Sequence, residues 1–182
     1  MHTCRVLASV AGVVVASVAL SGQPARPTAT LSAVVERERI EPGSSVRLAL
    51  LVTLPEGLHV QSNAPKDPSL IATTLTLEAP AGVAPVETVY PRASDLAQNG
   101  QTLAVFDREF VVGVRLILGS KLPFGDLAVP ARLRYQACDE RVCYTPATAR
   151  VAWTLHVVPS AASTRARHPE VFGRIAFSRE SR

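Results

Sequence analysis

Apolar residues at every second position limit the folds open to this chain more than any other feature. Val46, Leu48, Leu50, Val52 and Leu54 alternate with other residues, and Val151, Trp153, Leu155 and Val157 repeat the pattern near the other end. A period of two gathers such side chains on one face of a β-strand, whereas a helix would scatter them around its axis. Further apolar runs at 31–40, 58–60, 70–77, 83–90, 110–118 and 127–137 read as strands. Turn chemistry separates them: Glu41-Pro42-Gly43-Ser44, Pro55-Glu56-Gly57, and a polar loop over 91–100. No heptad interrupts the series, and 14 prolines are spread along the length. Eight or nine short strands with turns between them predict an all-β fold, an immunoglobulin-like antiparallel β-sandwich. Trp153 falls on the apolar face of its strand and reads as core.

The chain has 182 residues, enough for one domain with appendages. Residues 1–22 read as a signal peptide. One positive charge, Arg5, precedes the uncharged apolar run Val6 to Leu20, and Ala19-Leu20-Ser21 supplies small residues for cleavage. That run is shorter than the roughly 18 residues of a spanning helix, and no later stretch is long enough to span. The expected organisation is therefore a signal peptide (1–22), a linker (23–29), the sandwich (30–158) and a basic, flexible tail (159–182). The mature chain is expected to be periplasmic or secreted, with no transmembrane segment.

Net charge is +4, and its distribution excludes one class of partner. The tail carries five arginines against two glutamates, while residues 23–164 hold equal numbers of acidic and basic side chains. A nucleic-acid interface needs a basic face with interleaved aromatics on the fold itself. The domain is neutral, so nucleic acid is not an expected partner.

Cys4 would leave with the signal peptide, so Cys138 and Cys143 remain. In an oxidising compartment an even pair can bond to itself. Residues 133–137 are extended, and Asp139-Glu140-Arg141-Val142 separates the cysteines. A hairpin with a four-residue loop puts them opposite each other, with Cα atoms about 4.5–5.5 Å apart. That spacing lies within the roughly 4.4–6.8 Å that a disulfide accepts. Pro146 stops the returning strand from continuing as a regular ladder, which keeps the pair near an edge. Closing so short a loop restricts the unfolded chain by only about 2 kcal/mol, against about 4–5 for a loop of a hundred residues. Weak stapling favours thiol–disulfide exchange. A passive staple in a non-enzymatic interaction module, and a metal site recruiting His59 or His156, stay open. His59 itself reads as a solvated or hydrogen-bonded strand histidine. Arg141 favours a thiolate while Asp139 and Glu140 oppose it, so local charge does not rank the two sulfurs.

The stretch LRYQACDERVCYTPATARV (133–151) resembles the cysteine hairpin of the N-terminal periplasmic domain of the thiol:disulfide interchange protein DsbD. The carriers are Tyr135, Gln136, Cys138, Cys143, Tyr144 and Pro146, and GLHVQSNAPKDPSLIATTLTLE (57–78) is similar to stand-alone relatives of that domain. The resemblance implies an immunoglobulin-like fold with a Cys138–Cys143 redox disulfide on an edge hairpin, acting as a component of a protein thiol–disulfide oxidoreductase. It implies that Cys143 attacks a partner's disulfide, that Cys138 resolves the mixed disulfide, and that Tyr135 and Tyr144 flank the pair and shape the docking surface. The implied partners are a thioredoxin-like electron donor, on another polypeptide, and periplasmic disulfide-containing acceptors such as disulfide isomerases or proteins of cytochrome c maturation. No cofactor or metal is implied beyond the two sulfurs. Two departures bear on the site. The best-known member has five residues between its cysteines, against four here. The family's aromatic cap over the disulfide has no counterpart in 91–102, which implies a more exposed pair.

Overall fold

Alternation becomes strands in a computed structural model that describes residues 27–98, 100–161 and 165–179. The signal-peptide segment and most of the linker lie outside them. The elements are β1 (Thr30–Val35), β2 (Arg39–Ile40), β3 (Ser45–Thr53), β4 (His59–Gln61), β5 (Thr74–Leu77), β6 (Val83–Val89), β7 (Ser94–Gln98), β8 (Gln101–Phe106), β9 (Glu109–Leu118), β10 (Gly125–Tyr135), β11 (Ala137–Cys138), β12 (Ala147–Val157) and the one-turn helix α1 (Pro169–Phe172).

Three four-stranded sheets result, ordered β1-β3-β9-β6, β2-β12-β10-β5 and β11-β4-β8-β7. All pairings are antiparallel except β12 with β2, which is parallel. The first two sheets form the sandwich. Leu48, Leu50, Val52, Val112, Val114 and Leu116 supply one side of the core, and Val129, Leu133, Trp153, Leu155 and Val157 the other. Trp153 is 1% exposed, and its Nε1–H donates to the Ala49 carbonyl at 3.0 Å. The buried indole thereby satisfies its one polar atom while joining β12 to β3.

The third sheet carries Cys138, and its origin lies in one strand. β10 pairs with β12 up to Tyr135↔Ala147. Pro146, just beyond, has no N–H to extend that ladder. After Gln136 the chain changes sheets and pairs as β11 with β4, through Ala137↔Val60 and Cys138↔His59.

Three elements differ from the sequence expectation. The run 31–40 is two strands: β1 stays on β3, while β2 leaves to pair with β12. Glu36, between them, is 8% exposed and forms an ion pair with Arg47. Residues 91–100 are no simple loop, because β7 and β8 form a hairpin with register Ser94↔Val105 to Gln98↔Gln101. In the segment expected as a flexible tail, Phe172 is buried. The Ser178 N–H donates to Glu87 at 2.8 Å, and Arg115 Nη1 donates to the Ser178 carbonyl at 3.0 Å. Ile175 and Phe177 lie directly over Gly113 of β9.

Candidate functional site

Cys138 ends β11 and Cys143 follows a four-residue loop, and the two form a disulfide with Cα atoms 4.0 Å apart. They face each other as an isolated antiparallel bridge. The Asp139 N–H donates to the Val142 carbonyl at 3.0 Å, and the Tyr144 N–H to the Ala137 carbonyl at 2.9 Å. These bonds close the expected hairpin at a spacing somewhat tighter than expected.

Asp139 organises the loop. Its Oδ1 accepts from the N–H groups of Arg141 at 2.7 Å and Val142 at 2.8 Å, and its Oδ2 accepts from the Tyr144 hydroxyl at 2.9 Å. Three donors on one carboxylate stabilise its charged form. The Val142 and Arg141 amides, then the Tyr144 hydroxyl, hold it below the usual carboxylate range. The same bond raises the Tyr144 hydroxyl above the usual tyrosine value. Gln136 Nε2 donates to the Tyr144 carbonyl at 3.0 Å, tying the returning strand to the outgoing one.

Accessibility separates two cysteines that charge left unranked. Cys138 is 0% exposed, whereas Cys143 is an exposed residue beside Val142, an apolar side chain 54% exposed. Cys143 thus lies at the surface and Cys138 within the domain.

The other candidate residues divide. Tyr144 stands at the hairpin, partly exposed. Tyr135 does not flank the pair as a surface residue. It is 1% exposed, and its hydroxyl accepts the Ala29 N–H at 2.7 Å, because its position on β10 points into the sandwich core. His156 contacts Asp126 at the far end of the β10–β12 ladder from the hairpin.

Two further residues adjoin the site: Gln98, which the sequence reading does not single out, and His59, which it reads as a strand histidine or a metal-site candidate. Gln98, at the end of β7, donates from Nε2 to the Asp139 carbonyl at 3.0 Å, so the β7–β8 hairpin touches the cysteine loop through an amide. His59 sits across from Cys138 in the β4–β11 pair. Burial pushes its imidazole below the usual histidine value, against the raising pull of Asp107 and Asp139. Its Nε2 makes no hydrogen bond with any described residue. His59, Leu58, Leu96, Gln98, Asp107 and Glu140 help line an open cleft of about 500 Å³ beside the loop.

An immunoglobulin-like sandwich bearing a hairpin disulfide between a buried and an exposed cysteine is the class that fold and site define. Among solved structures, the chain matches the N-terminal periplasmic domain of ScsB from Proteus mirabilis with a TM-score of 0.52 and 15% identity, over 84% of this chain and 56% of that one. It thus spans little more than half of that domain's length. The Neisseria meningitidis DsbD N-terminal domain, in its reduced form, matches with a TM-score of 0.42 and 15% identity, over 74% of this chain and 89% of that one. The ScsB match shows that the sandwich fold is shared. No protein-family model and no curated protein matches the chain.

Proposed function

We propose that this chain is a periplasmic thiol–disulfide exchange domain that passes electrons from a thioredoxin-like donor to disulfide-containing acceptor proteins. The observation that carries the reading is the unequal exposure of the two bonded cysteine residues. In the reduced protein the exposed Cys143 thiolate attacks an acceptor's disulfide and forms a mixed disulfide. The buried Cys138 then attacks Cys143 Sγ, releases the acceptor as a dithiol, and leaves Cys138–Cys143 oxidised. A thioredoxin-like reductase resets the pair. Tyr144 and the exposed Val142 flank Cys143 and offer an aromatic and an apolar contact to the docking partner. The compartment fits the N-terminal reading of residues 1–22 and the printed description of the ScsB domain as periplasmic. The test is Cys143→Ser assayed with a reduced thioredoxin as donor and an oxidised disulfide isomerase as acceptor. Exchange is lost while the circular dichroism of the fold is retained. If the variant still mediates exchange, the reading is wrong; if neither form exchanges yet both bind a common protein, the chain is an interaction module with a stapled hairpin.

A further inference from the structure

The buried cysteine has a harder task than the exposed one. Its thiol must lose a proton before it can attack, away from the water that would take it. The residue facing it across β4–β11 is His59. Facing residues of an antiparallel pair project to the same side with Cβ atoms about 4.5–5.5 Å apart. On its other side Cys138 is bonded to Cys143, so the order across the sheet is His59, Cys138, Cys143.

His59 Nε2 is shielded from solvent and has no hydrogen-bond partner among the described residues while the disulfide is closed. A bonded sulfur has no proton to donate. Opening the disulfide gives Cys138 an S–H, a donor on the residue that faces His59 across the strand pair. We propose that His59 takes the proton from Cys138 Sγ in the step that resolves the mixed disulfide. The inference rests on the exchange reading above and names the group that drives its second half. The Cys138 S–H gives its proton to the imidazole, and the resulting thiolate attacks Cys143 Sγ. The Cys138–Cys143 bond forms and the Cys143–acceptor bond breaks. The acceptor sulfur leaves with the electron pair and takes a proton from the imidazolium or from water, so the dithiol is oxidised as the acceptor is reduced. Burial keeps the ring neutral and able to accept at neutral pH. Asp107 and Asp139 stabilise the imidazolium once formed, and Glu140 and Arg108 line the same cleft.

The experiment uses the reduced protein and 5,5′-dithiobis(2-nitrobenzoate), followed by stopped-flow absorbance. The first thiolate is released when Cys143 forms the mixed disulfide, the second when Cys138 resolves it. Because the probe is a small aryl disulfide, the outcome does not depend on any protein acceptor, and the exchange reading can fail separately. In the native chain the second phase should rise with pH through a step below about 6.5, the ordinary histidine value. A solvated thiol of pKa about 8.5 is only a few per cent ionised at pH 7, and burial disfavours the thiolate further, so a base is worth about 30-fold or more. His59→Gln should slow the second phase at least about 10-fold at pH 7, leave the first phase within about twofold, and move the pH step up to about 8.5 or above. A second phase unchanged in His59→Gln, or both phases slowed together, overturns the proposal. So does a native second phase with a single step at about 8.5 or above, a measurement that needs no variant.

Discussion

Replacing Cys143 with serine separates a disulfide that performs chemistry from one that holds the domain together. The change is nearly isosteric at an exposed position and leaves Cys138 as a buried thiol. The bond closes a loop spanning a sequence separation of five. In the chain-entropy account, so small a loop contributes about 2 kcal/mol. The strands from Thr30 to Val157 cover roughly 130 residues, for which unfolding entropy near the midpoint is about 0.27 kcal/mol/K. The expected fall in Tm is therefore about 8 °C, and the same fall should follow reduction of the native protein. The physical reason lies in the core: Leu48, Leu50, Val114, Leu133, Trp153 and Leu155 are buried and belong to the two main sheets, whose ladders do not include the cysteine loop. The assay is a thermal melt by circular dichroism with and without reductant. A fall of more than about 20 °C, or loss of a cooperative transition, would refute the reasoning and make the bond the main support of the fold.

Three further expectations follow from the same contacts. Trp153→Ala removes a fully buried indole and its bond to Ala49, and should cost about 3–5 kcal/mol, more than the disulfide; a smaller loss of stability in denaturant titration than that of Cys143→Ser would contradict this. Asp139→Asn should lower the Tyr144 pKa toward the ordinary value near 10 in a spectrophotometric titration. Because the folded Asp139 value is depressed, its contribution to stability is full above about pH 4 and is lost as pH falls through the folded value, so the variant should lose stability less steeply in acid; an unchanged acid limb speaks against the three-donor arrangement. Gly113→Ala would put a Cβ 2.8 Å from Phe177 Cζ and closer still to Ile175, displacing residues 175–177 from β9; trypsin should then cut after Arg174 and Arg179 severalfold faster, and unchanged cleavage would mean that the contact does not hold the segment.

What the sequence disclosed and what it concealed follow from the range of the interactions. β3, β9 and β12 were legible because a strand with one face in the core repeats every two residues, and the cysteine hairpin was legible because the bonds that close it, from the disulfide to Gln136–Tyr144, span no more than eight positions. β7 was hidden: Ser94-Asp95-Leu96-Ala97-Gln98 lacks β-branched and aromatic residues, and its extended form rests on pairing with β8. β2 was hidden because its partner, β12, lies more than a hundred residues away. The position of His59 directly opposite Cys138 was hidden for the same reason, although the sequence offered His59 as a candidate partner of the cysteines. Its neighbour in sequence is a turn, while its neighbour in space is Cys138, and only the β4–β11 pairing joins them. Tyr135 shows the reverse error. The resemblance implied a place for it on the docking surface, but the alternation along β10 turns it into the core.

The reduction potential of the Cys138–Cys143 pair, measured by equilibration with glutathione, tests the account most directly. Exchange requires a bond that a thioredoxin-like donor can open and that the dithiol can pass on, which predicts a value of roughly −120 to −270 mV. A value below about −300 mV would mark a bond that resists reduction, and would contradict the electron-transfer role.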